Sequence, residues 1–96
     1  MQIQEHALCE LIRNQQVFEF RYDGGMRWVE PHLLGYDSND ELTLLAWQRD
    51  GESGEGWRKF HVSKMDALSS TNETFPEPHL GYDPNDEALD HIVCRI

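Results

Sequence analysis

The spacing of apolar residues along this chain changes twice, and each change marks a boundary. Over residues 3–14 the apolar positions Ile3, Ala7, Leu8, Leu11 and Ile12 recur at helical spacing, with Glu5 and Glu10 off that face. The pattern predicts a short helix that packs across a sheet, because so short a helix has little stability alone. From residue 17 the period drops to two. Phe18, Phe20 and Tyr22 point one way and Val17, Glu19 and Arg21 the other, so residues 17–22 read as a half-buried strand. Asp23-Gly24-Gly25 supplies a tight hairpin turn.

Residues 26–34 form a second strand, with Trp28 on one face and Val29, Pro31 and Leu33 on the other. Pro31 lacks an N–H, which places it at an edge, a bulge or a strand end. Asp37-Ser38-Asn39-Asp40 is a polar turn before a third strand over residues 41–48, apolar on both faces and therefore central. Residues 49–56 hold three glycines and three acids and read as a flexible hairpin loop. A fourth strand covers residues 57–65, and a shorter fifth spans residues 67–75.

Pro76 and Pro78 then break the chain. Asp83 as cap, Pro84 at the first helical position and Asp86 and Glu87 in the first turn predict a C-terminal helix. Leu89, Ile92, Val93 and Ile96 give it an apolar face; the competing reading is a final strand over residues 91–96. Within this order, Glu30-Pro31-His32-Leu33-Leu34-Gly35-Tyr36-Asp37-Ser38-Asn39-Asp40-Glu41 is echoed, one residue shorter, by Glu77-Pro78-His79-Leu80-Gly81-Tyr82-Asp83-Pro84-Asn85-Asp86-Glu87. Two copies are too few for a stacked repeat array. The echo is either coincidence or a paired surface feature made by both loops.

Ninety-six residues suffice for one domain with a modest core. No apolar run reaches the length of a membrane-spanning helix, and residues 1–10 lack the basic start and apolar stretch of a secretory signal, so a cytoplasmic location and no membrane partner are expected. The net charge of −10 excludes a broad basic face for a phosphate backbone. It leaves room for a small anionic ligand held by a few arginines, or for a basic protein partner.

Cys9 and Cys94 are too few for a disulfide framework and lack zinc-site spacing. They read as two small buried hydrophobes, bridged only if the chain ends meet. His6, His32, His61, His79 and His91 are scattered. Asp37, Asn39 and Glu41 alternate like the start of a calcium loop but lack its glycine and distant glutamate. No metal, no cofactor and no catalytic motif is expected, and the chain reads as a non-enzyme.

Taken together, the order of pieces over residues 7–75 resembles the WYL domain family. Leu11-Ile12-Arg13 looks like its lead-in helix, Phe18-Glu19-Phe20-Arg21-Tyr22 like its first strand, and Arg27-Trp28-Val29-Glu30-Pro31-His32-Leu33-Leu34 like its arginine-proline-leucine segment. Arg58-Lys59-Phe60-His61-Val62-Ser63-Lys64-Met65 looks like its arginine-phenylalanine strand. The Trp-Tyr-Leu triplet reads Leu42-Thr43-Leu44 here, and Lys64 stands where an arginine is usual. The resemblance implies a mainly β fold, a small SH3/Sm-like barrel of about five antiparallel strands (residues 17–75) with an N-terminal helix; the C-terminal helix read above lies in the extension 76–96. It also implies a stand-alone regulatory or sensor module. Such a module would bind a small anionic or nucleotide-like ligand, or a short single-stranded nucleic acid, through a basic-aromatic groove made by Tyr22, Arg27, Trp47, Arg58 and Lys64.

Two other readings stand beside it. Arg27 and Arg58 could serve as structural partners for the many acids. Trp28, Trp47 and Trp57 could be barrel filling, or Trp28 and Trp57 could form an exposed pair suited to a protein partner or a homodimer.

Overall fold

The computed structural model describes residues 5–96, so Ile3 of the expected helix lies outside the described residues. The fold is mainly β, as the alternation predicts. Helix α1 (Glu5–Arg13) is followed by β1 (Gln16–Tyr22), β2 (Gly25–Tyr36), β3 (Leu42–Asp50), β4 (Gly56–His61), a 3-10 turn (Val62–Lys64), β5 (Asp66–Thr74) and β6 (His91–Arg95). Helix α1 buries Leu8, Leu11 and Ile12 as the helical spacing predicts, with Cys9 beside them, while Ala7 of the expected face is exposed. The β1–β2 hairpin turns through Asp23 and Gly24, both at positive φ, between the paired residues Tyr22 and Gly25. That is the two-residue turn whose twist matches the strands, and glycine carries the positive φ without strain.

Three expectations are corrected. The sheet has six strands among the described residues and is open: its order is β4-β3-β2-β1-β5, with β6 on β2. The long β2 pairs with β3 along one edge, while β1 takes the first part of its other edge and β6 the last part. No strand ladder joins β5 back to β4, so the barrel does not close.

The C-terminal helix is replaced by β6. The carboxylate of Asp83 accepts the N–H of Asn85, and that of Asp86 accepts the N–H of Ala88. These local bonds hold the chain in turns where a helix would need its first N–H groups. Leu34 and Gly35 then offer Cys94 and Ile92 an unpaired edge, which suits the β-branched Ile92 and Val93. Gly35 is required there, because a Cβ would lie 2.5 Å from the His91 carbonyl oxygen. The cysteines are buried, as expected, but they are also bridged: Cys9–Cys94 joins α1 to β6, 85 residues apart in sequence.

The main core lies between α1 and one face of the sheet and includes Phe18, Phe20, Val29, Leu34, Leu44 and Phe60. A smaller cluster of Leu33, Leu45 and Leu89 sits on the opposite face, with Trp57, Tyr82 and Ile92 packed against it. A bulge lets the long β2 strand serve both faces. Pro31 pairs with Ala46 and Leu33 with Leu45, leaving His32 as the extra residue. Segment 76–90 then runs over this second face.

Candidate functional site on the second face of the sheet

The five residues expected to form one groove are not gathered in one place. Tyr22 and Arg27 come together on the core side, with the guanidinium carbon 5.6 Å from the Tyr22 ring centre and 5.8 Å from that of Phe60. Arg27 is only 8% exposed. It donates to the side-chain oxygen of Gln48 at 3.0 Å and lies 3.9 Å from the Glu52 carboxylate. Tyr22 accepts the His61 backbone N–H through its hydroxyl.

Arg58 shares the core side of β4 with Phe60, as their pairing to Ala46 and Leu44 shows. Its guanidinium donates to the carbonyls of Ser53 and Gly54. Gln48 donates to the carbonyls of Glu52 and Gly54. Arg27, Gln48 and Arg58 thus hold the β3–β4 loop, which explains why a glycine-rich loop is ordered around arginines. Lys64 is exposed at the end of the 3-10 turn.

Trp47 alone of the five belongs, by its side chain, to the second face. Its indole stacks on the His79 ring, with centroids 3.6 Å apart and planes inclined by 14°. It meets Trp57 edge-on at 5.7 Å, so the tryptophan pair is Trp47–Trp57 and not the expected Trp28–Trp57. Beneath them His32 is fully buried, 4.8 Å from Trp57 and 5.0 Å from Tyr82. Burial lowers its pKa, partly opposed by its bond to the Glu30 carbonyl. Glu30, also buried, receives the Arg49 Nε at 2.7 Å and lies 3.3 Å from the His79 Nδ1. Arg49 also pairs with Glu73, tying β3 to β5. Burial works against the charge of Arg49, but the hydrogen bonds to Glu73 and Glu30 outweigh it and raise its pKa.

The two echoed segments meet here. His79 donates its backbone N–H to His32, and both copies end in the same carboxylate-capped turn. Asp37 accepts from the N–H groups of Asn39 and Glu41, and Asp83 accepts from that of Asn85.

Between β4 and segment 81–86 lies a cleft of about 340 Å³ lined by Leu45, Trp57, Arg58, Lys59, Gly81 and Tyr82, with Asp83 and Asp86 completing it. The backbone passes close over the indole: Trp57 Nε1 donates to the Leu80 carbonyl at 3.1 Å. Gly81 has φ +92°, and a Cβ there would approach the same nitrogen at 3.0 Å. Burial raises the pKa of Tyr82, keeping its hydroxyl neutral beside the carbonyls of His32 and Ile96. The cleft therefore offers an aromatic wall, a basic edge and a carboxylate edge. Of the expected site residues only Arg58 lines it. Lys59, Tyr82 and the two aspartates were missed, and the strand parity of Lys59 with Trp57 was the available signal.

Among the described residues, Asp37, Glu41 and His61 alone bring three metal-capable donors within 4.8 Å of one another. No helix among the described residues is long and apolar enough to cross a membrane. No family model, curated protein or solved structure matches the chain.

Proposed function

We propose that this chain is a non-catalytic sensor module that binds a small anionic or nucleotide-like ligand in the cleft between β4 and segment 81–86. The observation that carries the reading is the placement of Lys59 beside Trp57 and Tyr82 in one cleft of about 340 Å³. That volume is at the small end of ligand pockets. A planar ring can lie against Trp57, an anionic group can reach Lys59, and Asp83 or Asp86 can accept donors from the rest of the ligand. Asp83 and Asp86 disfavour a polyanion, so a single nucleotide fits better than a longer strand. The regulatory role follows from the resemblance to WYL domains, with the ligand moved from the expected groove to the second face.

The test is calorimetric titration of adenosine and guanosine monophosphates. Lys59→Ala and Trp57→Leu are expected to weaken binding about tenfold or more, the loss of one charge-assisted contact or one stacking surface. Arg27→Ala is expected to leave affinity unchanged. No binding, or binding indifferent to Lys59, overturns the reading.

A second reading is a protein-interaction module, and Leu80 favours it. This is the one large apolar side chain standing open among the described residues, at 92% exposed. Light scattering of the protein alone, with Leu80→Ser alongside, tests it as a homodimer: loss of a dimer in the variant supports it.

The cytoplasmic location belongs to this reading too, and it requires the Cys9–Cys94 bridge to be reversible, since that compartment keeps thiols reduced. Thiol labelling of freshly lysed cells distinguishes a dithiol from a permanent bridge.

A further inference from the structure

A second constellation lies at the other end of β4 from Trp57. Asp37 and Glu41 flank the β2–β3 turn, and His61 ends β4. The β3–β4 ladder sets Thr43 opposite His61, which carries the imidazole to the turn. One donor atom from each of the three side chains falls within 4.8 Å of the others. Tetrahedral bonds of about 2.0–2.2 Å to zinc hold donors about 3.3–3.6 Å apart, so side-chain rotation that closes the widest separation by roughly an ångström brings all three into range.

Three details point to a cation. First, His61 Nδ1 is shielded from solvent and has no hydrogen-bond partner among the described residues, although Glu41 Oε2 lies only 2.8 Å away. The two atoms are close enough for a hydrogen bond but not angled for one, so a buried ring nitrogen is left unsatisfied beside a carboxylate. Second, Asp37 uses Oδ1 for both turn N–H groups, which orients the carboxylate and leaves Oδ2 unused. Third, among the described residues no lysine or arginine lies within ion-pair distance of Asp37 or Glu41, so two neighbouring carboxylates lack a fixed counter-charge.

We propose that Asp37, Glu41 and His61 bind one divalent transition-metal ion, zinc(II) foremost, with water completing its shell. The imidazole selects against calcium and magnesium, which take oxygen ligands, and the two carboxylates balance a double positive charge. The site is independent of the nucleotide-binding reading, and its ligands lie outside that cleft. The molecule also supplies its own control. The echoed turn repeats the carboxylates as Asp83 and Glu87, and among the described residues no histidine joins them in a cluster of three donors.

The experiment is calorimetric titration of the intact, bridged protein with zinc chloride, and separately with calcium and magnesium chlorides. One zinc per chain is expected, with at least tenfold weaker calcium and magnesium binding. Saturating zinc is expected to raise the melting temperature by several degrees, since a ligand that binds only the folded state stabilises it. His61→Ala and Asp37→Asn should each weaken zinc binding tenfold or more. The asparagine can still cap the turn, so Asp37→Asn keeps the fold. Asp83→Asn with Glu87→Gln should leave binding unchanged. Absence of zinc binding, or binding that survives both His61→Ala and Asp37→Asn, overturns the proposal and leaves Glu41–His61 as a surface ion pair. Equal loss in the Asp83/Glu87 variant overturns it as well, because binding would then follow overall acidity.

Discussion

The backbone N–H of His79 donates to Nε2 of His32 at 2.9 Å, while Nδ1 of the same ring lies 2.8 Å from the Glu30 carbonyl oxygen. A carbonyl can only accept and a backbone N–H can only donate. His32 must therefore be neutral, with its proton on Nδ1. One imidazole thus joins the two copies of the echoed sequence.

This arrangement makes stability depend on pH. Burial lowers the pKa of His32 in the folded state below the ordinary value of about 6.5. The unfolded chain therefore binds more protons as the pH falls below about 6.5, and the folded state is disfavoured until the folded pKa is passed. Urea unfolding at pH 7.5 and pH 5.5 should show lower stability at the acid end. His32→Gln, which retains an acceptor for His79, should flatten that difference. An unchanged pH dependence in the variant would remove His32 as its source.

Reducing the Cys9–Cys94 bridge should destabilise the fold. The bridge closes a loop across 85 positions, and chain entropy assigns such a closure a stabilisation of about 2–5 kcal/mol. Urea curves with and without reductant, together with Cys94→Ser, measure the difference. A loss well under about 1 kcal/mol would mean that α1 and β6 hold without the covalent link.

Gly35→Ala should separate β6 from β2. The added Cβ would sit 2.5 Å from the backbone oxygen of His91, too close for a side-chain adjustment to relieve. Overpacking of this kind costs about 1–3 kcal/mol. Amide exchange should accelerate at residues 91–95 and leave β3 protected; uniform protection would show that the strand tolerates the methyl.

Arg27→Ala should cost about 1–3 kcal/mol, because it leaves the buried Gln48 oxygen without its donor. Denaturant titration reads the loss directly. Glycine-rich residues 51–54 should become more sensitive to protease, since Arg27 reaches Glu52 and Gln48 carries the loop carbonyls.

The sheet was legible wherever local pattern and tertiary role agreed. Phe18, Phe20 and Tyr22 alternate and all face the core, and Asp23-Gly24 turns as its glycine demands. The pattern misled where a distant partner decided the outcome. Ile92 and Val93 fit a helical face as well as a strand, and the free edge at Leu34 and Gly35, with the turns held by Asp83 and Asp86, selects the strand. The bulge at His32 breaks the parity that was extrapolated along β2, so Leu33 faces the second cluster while Val29 faces the main core.

The candidate site was less readable for the same reason. Arg27 and Arg58 looked like ligand contacts because a cation beside aromatics suits both anion binding and loop anchoring, and sequence does not record which acceptors fold back onto them. Lys59 and Tyr82 come together only through the path of segment 76–90 over β4. His61 reaches Glu41 through a hairpin that leaves no local spacing to detect.

The bridge between Cys9 and Cys94 also has a mechanical side. Tension applied to residues outside that interval would run through the sulfur–sulfur bond, loading the strand ladders only where Arg95 pairs with Leu33 and Ile96 donates to the His32 carbonyl. Joined to a larger assembly at both ends, the sheet would be carried along as a shielded bead on the chain, and cutting the bridge would lengthen the tether by most of the domain.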